Sequence, residues 1–442
     1  MEPIPQEAEV ARCPLYCGQV LIQGAFMVDF RPFNGIRYSE PAGSLADLIC
    51  PPYDVISPEQ ERVLLDGNAN NMVRLELAEL SGPPLPNRYT DAARSYRLMR
   101  EEGMLLQDES RSYYLLRQRF TVGGIPRERL GLLGALQLEE LGGVVLPHED
   151  TAAGPKEDRL ALMEACSANF SPIMMLYRDT FGEIRRVIAQ TTSGPAEEDF
   201  IVDGQGYSIW TISDPALTGA VHDALTSQPA YIADGHHRYE TALAYNRAHS
   251  NADTVLTCLI AFDDPGLLIQ PYYRVVHGLD EQKLGEMRGL MNTLFDASPS
   301  GATSPEELDG VVAAISIDQV ALGVVEPRTP SVILTPHDVA VPMPDPDAAP
   351  DQQARSVEAN VLQEMLFKPI LGESFPDNVA YVHDPVDAVR MVDEGEGQIA
   401  FFIKGVPTGV FESVVGAGIR LPRKSTYFYP KLPSGLVVNT LD

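Results

Sequence analysis

Apolar and polar positions change period along this chain, and the changes predict its elements. Residues 112–120 and 128–138 read as strands, and Gly123-Gly124 between them predicts a hairpin. Over residues 88–102, Tyr89, Ala93, Tyr96 and Met99 fall on one face of a helix. Ser57, followed by Pro58, Glu59 and Gln60, reads as a capping box with proline at the first helical position, opening a helix that ends near Gly67. Just upstream, Pro51-Pro52-Tyr53-Asp54 reads as a stiff extended segment. Pro155 opens a helix through Leu160, Met163 and Ala168, and an apolar β-run follows at Pro172–Tyr177. Residues 207–212 form a strand, and Asp214-Pro215 then caps a helix to about Ser227. Ala230–Ala233 is a short strand with a helix starting immediately after Asp234, and a strand at 254–262 comes next. Residues 331–335, 399–403 and 408–411 are further apolar strands. Strands alternating with helices predict a mixed α/β (α+β) fold.

Length and punctuation set the organisation. At 442 residues the chain is about three times the ~150-residue prior for one domain, so two or three lobes are expected. Stretches rich in Ser, Pro, Gly and Glu at 297–312, and in Pro, Asp and Ala at 341–356, read as linkers. The expected division is an N-terminal appendage at 1–26, a core at 27–285 with insertions, and a C-terminal α/β lobe at 286–442 that packs back on the core. The first 26 residues are acidic, hold Cys13 and Cys17, and lack the basic region of a signal peptide. Met27 begins a plausible chain of its own.

Composition narrows the partners. Acidic residues outnumber basic ones by 62 to 33, for a net charge of −29. Such a surface argues against nucleic acid and against anionic membranes. It does not exclude a small anion in a locally basic cleft. No uncharged apolar run reaches the ~18–20 residues that span a bilayer. Five cysteines make no disulfide framework, and Cys13-x3-Cys17 has no second pair to complete a zinc site, so a reducing, cytoplasmic setting is expected. Oligomeric state stays open between monomer and dimer.

The densest polar constellation is Asp234-Gly235-His236-His237-Arg238, directly after a short apolar strand. Asp234 can cap the following helix, and Gly235 lets a ligand approach the backbone. The helix N-terminus offers unpaired N–H groups and partial positive charge. Arg238 adds a bidentate donor for phosphate oxygens. Together these residues predict a phosphate cradle. It is built without a P-loop, whose G-x-x-x-x-G-K-[ST] pattern is absent. The competing reading is a capped helix with two surface histidines. Side chains of adjacent helical residues point about 100° apart, so the three cannot all reach one atom.

Three further clusters stand out. His148-Glu149-Asp150-Thr151 precedes Lys156, Glu157, Asp158 and Arg159, and a carboxylate there could hold Mg²⁺ or act as a base. Tyr53-Asp54 is either functional or a turn. Arg423-Lys424-Ser425-Thr426-Tyr427-Phe428-Tyr429-Pro430-Lys431 is a basic, aromatic patch in an acidic protein. It reads either as a phosphate clamp or as a packed β-segment. It carries two of only six lysines in the chain.

These motifs occur in an order that resembles the bacterial and archaeal family known as domain of unknown function 1015. They are Pro51-Pro52-Tyr53-Asp54-Val55-Ile56, His148-Glu149-x-Thr151 with Asp158-Arg159-Leu160, Asn169-Phe170-Ser171-Pro172-Ile173, Tyr231 to Arg238, and Lys424 to Lys431. The resemblance runs from about Phe30 to the C-terminus. One departure is visible: this chain has Tyr273-Arg274 where the family usually presents His-Arg. The Asp-Gly-His-His-Arg element is also similar to that of SerK-type free serine kinases, in the ParB/sulfiredoxin-like superfamily.

That resemblance implies a ParB/sulfiredoxin-like core and a kinase that makes O-phosphoserine from free L-serine, using ATP or ADP and Mg²⁺. Asp234, Gly235, His236, His237 and Arg238 would hold phosphates, and Lys424 or Lys431 would neutralise the transferring group. Glu149 or Asp234 would hold Mg²⁺, and Asp54 or Glu149 would take the hydroxyl proton, with His237 also catalytic. The alternative is a nucleotide-binding switch or partner-binding protein of ParB-like fold that transfers nothing. A sulfiredoxin-like redox repair enzyme would need a cysteine in the cradle, which has none.

Overall fold

Gly123 and Gly124 both sit at positive φ, 56° and 76°, and turn the chain between Tyr113–Val122 and Ile125–Gln137. The two strands pair antiparallel from Val122↔Ile125 to Tyr114↔Leu133. In this computed structural model, which describes residues 28–77, 88–151, 154–226, 228–337 and 341–441, that hairpin lies inside a nine-stranded sheet. The expected appendage at 1–26, with Cys13 and Cys17, lies outside the described residues, as does Ser227.

On one side of the hairpin come Thr254–Ala261, Ile173–Tyr177, Ala230–Asp234 and Val145–Leu146; on the other come Gln205–Ile212 and Glu198–Val202. Thr254–Ala261 runs parallel to Ile173–Tyr177, and Ala230–Asp234 parallel to Val145–Leu146, while the other neighbours are antiparallel. Ile173–Tyr177 is buried at every position, which is why its sequence runs apolar without alternation. Successive side chains feed opposite faces. Tyr113, Leu115, Ile173, Met175 and Ile232 enter one core, and Tyr114, Leu116, Met174, Leu176 and Ala233 the other. Gly134 lets the Phe30 ring pack directly on the sheet backbone, since a Cβ there would lie 2.4 Å from the ring.

A second sheet of six strands is antiparallel throughout, in the order Phe295–Pro299, Val332–Pro336, Leu322–Val325, Ile399–Phe402, Tyr273–Val276, Val379–Val382. Its strand Tyr273–Val276 precedes the expected boundary at 285. After Ile399–Phe402 the chain returns to the first sheet. The Thr408–Gly416 helix contributes Phe411, Val414 and Val415 to that core, Tyr427–Tyr429 pairs with Leu268–Gln270, and Asn439–Thr440 pairs with Ala168–Asn169. Among the described residues, no helix is long and apolar enough to cross a membrane.

Several expectations need correction. Residues 297–312 are not a linker: they hold the end of the Phe295–Pro299 strand and most of the Pro305–Ala314 helix, which Ser304 caps by accepting the Glu307 N–H. The second expected linker ends in the Pro350–Ser356 helix. Residues 408–411 start a helix rather than a strand. Pro51-Pro52-Tyr53-Asp54 is not extended, because the chain turns through Tyr53–Val55 with Val55 N–H bonded to Pro52 O. The helix opened at Gly154 ends at Cys166, and Ala168 belongs to a strand.

Candidate functional site

The buried strand Ala230–Asp234 delivers its last residue to a left-handed Gly235, at φ 96°, from which the helix His236–Ala248 departs. Asp234 does not cap this helix, contrary to the expectation from its position. Its carboxylate is drawn elsewhere: Oδ2 accepts from Arg238 Nη2 at 2.9 Å, and Oδ1 from Lys431 Nζ. Burial pushes the Asp234 carboxyl up, but Lys431 and Arg238 outweigh it and hold the group well below the usual carboxylate range. Arg238 also donates to Pro172 O at 2.6 Å.

The two histidines part company, as adjacent helical positions must. His236 points inward and is buried, while His237 is half-buried. His236 Nε2 accepts the His148 backbone N–H at 3.2 Å, leaving Nδ1 to face Glu149 Oε1 at 3.7 Å. His148 is itself buried, bonded through Nδ1 to Ile232 O and through Nε2 to Thr426 Oγ1, each at 2.7 Å. A carbonyl can only accept, so His148 Nδ1 carries the proton and Nε2 receives the threonine hydroxyl. Burial lowers the pKa of both rings, and each is therefore neutral near pH 7.

His148, Glu149 and His236 bring potential ligand atoms within 4.8 Å of one another. Their hydrogen bonds argue against a metal there. Both His148 nitrogens and His236 Nε2 are engaged, and metal binding needs those lone pairs. Asp234, the other expected Mg²⁺ ligand, has both oxygens occupied by cations. The residues present therefore do not form a Mg²⁺ cage.

Glu149 is anchored from the C-terminal segment. Its Oε2 takes the Lys424 N–H at 3.2 Å, and its backbone oxygen takes Arg420 Nη1 at 2.7 Å. Lys424 adopts a left-handed φ of 59°, braced by Arg274 Nη2 on its carbonyl at 3.0 Å. Its ammonium lies 4.8 Å above the Tyr272 ring, and that of Lys431 lies 4.9 Å from the Tyr427 ring. Tyr272 and Tyr427 meet edge to face at 5.3 Å, and His383 packs on Tyr427 at 4.6 Å. Asp54 is exposed, and its charge raises the phenol pKa values of Tyr272 and Tyr427, after burial and Asp234. For His237, burial lowers the pKa while Glu149 opposes and Lys424 adds to the fall. Glu240, one turn on, accepts from Thr151 and Lys156.

The fold thus gathers Asp234, Gly235, His236, His237, Arg238, Glu149, Lys424 and Lys431 around one helix N-terminus, with Asp54 at its edge. Sequence reasoning missed Tyr272, Thr426's bond to His148, and His383. Tyr272 adjoins the Tyr273-Arg274 pair that was singled out. His383 carries no signal beyond preceding the helix cap Asp384. Tyr273 points away, into the second sheet's core, and donates to Asp309.

Fold and site together define a mixed α/β protein with a basic cradle at a buried strand–glycine–helix junction. The chain matches the model of the family described as "Protein of unknown function (DUF1015)" over residues 30–338, and it belongs to that family. Similar solved structures include a conserved hypothetical protein from Pyrococcus furiosus, at 14% identity and a TM-score of 0.34, covering 67% of this chain and 92% of that one. A free serine kinase in complex with AMP is 13% identical, with a TM-score of 0.34 and coverage of 64% and 83%. SbnI with a C-terminal truncation, from Staphylococcus aureus, is 10% identical, with a TM-score of 0.35 and coverage of 68% and 84%. A comparison with curated proteins returns no match.

Proposed function

We propose that this protein is a nucleotide-dependent small-molecule kinase whose acceptor is free L-serine. The observation that carries this reading is the convergence of Arg238, Lys424 and Lys431 on one helix N-terminus, beside an anchored carboxylate, in a protein of net charge −29. Phosphoryl transfer asks chiefly for positioning and charge neutralisation. The helix N–H groups, Arg238 and His237 hold the phosphates of ATP or ADP. Lys424 and Lys431 face the transferring group, Lys431 leaving Asp234 for a phosphate oxygen. Glu149, fixed by the Lys424 N–H, takes the serine hydroxyl proton. Asp54, exposed and unanchored, orients the acceptor at the mouth. Any Mg²⁺ would be held chiefly by the nucleotide's own phosphate oxygens rather than by a protein cage.

The test is direct. Purified protein is incubated with Mg²⁺, L-serine and either ATP or ADP, and O-phosphoserine is read by mass spectrometry. The expected result is product that falls by roughly 10²-fold or more in Glu149→Gln and in His237→Ala, with both variants folded. Nucleotide binding without phosphoserine would instead favour a nucleotide-gated switch.

A further inference from the structure

Arg238 and Thr241 are three residues apart and share one face of the His236–Ala248 helix, while His237 and Glu240 share another. Against the Arg238 face lies a cavity of about 40 Å³ whose polar lining is Glu76, Arg159, Asn169, Ser171, Arg238 and Thr241. Glu76 is 2% exposed and Thr241 is 1% exposed. Arg159 engages Glu76 through Nη1 on Oε2 and Nη2 on the backbone oxygen, each at 2.8 Å. Glu76 Oε1 and Thr241 Oγ1 are buried with no hydrogen-bond partner. A desolvated carboxylate oxygen and hydroxyl are costly to leave unpaired, and here both border one hollow.

What would satisfy them is constrained. The guest must donate, because a carboxylate only accepts. It must be small, since the space is a fraction of a nucleotide's volume. A positive guest gains more from Glu76 than a neutral one. The cavity also touches Arg238, the guanidinium that holds Asp234 in the cradle. We propose that this cavity takes the α-ammonium group of the amino-acid acceptor, which donates to Glu76 Oε1 and Thr241 Oγ1. The acceptor's carboxylate and hydroxyl then extend past Arg238, which borders the cavity, toward the cradle. This assignment rests on the amino-acid kinase reading above and adds to it the subsite that tells an amino acid from a hydroxy acid.

Titration calorimetry on the full chain tests it, with L-serine and with 3-hydroxypropionate, which keeps the hydroxyl and carboxylate but lacks the ammonium. The wild type should bind L-serine at least about tenfold more tightly than 3-hydroxypropionate. Thr241→Val should weaken L-serine about tenfold, leave nucleotide affinity within about twofold, and raise the melting temperature slightly by removing an unpaired hydroxyl. Thr241→Ser should restore L-serine binding. Unchanged L-serine affinity in a folded Thr241→Val variant overturns the proposal and leaves the cavity to water. The two readings separate cleanly. Thr241-dependent L-serine binding without phosphoserine sustains the subsite and removes the kinase. Phosphoserine formation with an unaltered KM for serine in Thr241→Val sustains the kinase and removes the subsite.

Discussion

His148 and His236 are the residues at which chemistry and stability meet. Each ring is buried and neutral, and each has its tautomer set by a bond to another element. Folding lowers their pKa through burial, with His148 adding to the fall at His236. Above the ordinary histidine value of 6.5 both states are neutral and pH has no purchase. Below it the unfolded chain takes up protons that the folded rings refuse, so stability falls as pH falls. The melting temperature should therefore drop on going from pH 7.5 to pH 5, and a flat profile would contradict the neutral, buried pair. Asp234 cannot account for that window. Its folded pKa is depressed, so its contribution is intact above the unfolded carboxyl value of 3.8 and is lost only at still lower pH. Cys258 illustrates the same effect of burial on a thiol: it is pushed up to about 12, which makes it a poor nucleophile at neutral pH.

At the scale of elements, the junction between Ala230–Asp234 and His236–Ala248 hinges on one backbone angle. Gly235 at φ 96° suits a residue without a Cβ, and a Cβ there would sit 3.0 Å from Arg238 Nε and Nη2. Gly235→Ala should cost about 1–3 kcal/mol in a denaturant titration and weaken nucleotide binding by displacing the guanidinium. A loss of stability with unchanged nucleotide affinity would detach Arg238 from the cradle. This junction was legible in the sequence because its signals are local. The same holds for the Gly123-Gly124 hairpin, for Ser57, whose Oγ accepts from Gln60 N–H, and for Asp214, which accepts from Ala216 and Leu217. Ser304-Pro305 with Glu307 was equally local, but composition was allowed to outweigh it. Where reading failed for a physical reason, the partner was remote. Asp234 has the look of a cap, yet Lys431, 197 residues away, claims its oxygen. Nothing local marks His148 as a buried structural histidine either: its Nε2 is taken by Thr426, 278 residues on.

Over the whole molecule, the segment after Lys404 joins the two sheets, and two buried arginines hold it. Arg129 of the first sheet donates to Tyr429 O and Pro430 O, and Arg274 of the second donates to Lys424 O. Burial lowers each guanidinium to about 10, so both stay charged at neutral pH while bonding carbonyls. The same segment supplies the cradle's two lysines and a share of the core: Phe428, Leu432, Leu436, Val437 and Val438 are each at most 3% exposed. Burying a large apolar side chain is worth about 1.5–3 kcal/mol, so these five contribute on the order of 10 kcal/mol, comparable to the ~5–15 kcal/mol net stability of a folded domain. Their removal would also strip Ile36 and Cys50 of their backbone partners Val438 and Ser434. A chain ending at Thr426 should therefore lose its cooperative thermal transition rather than merely its activity. Calorimetry on that truncation decides the matter. A sharp transition at the wild-type temperature would make the returning segment an accessory clamp. Its loss would mean that Lys431, the partner of Asp234, and a necessary part of the fold's core are specified by the same short C-terminal stretch.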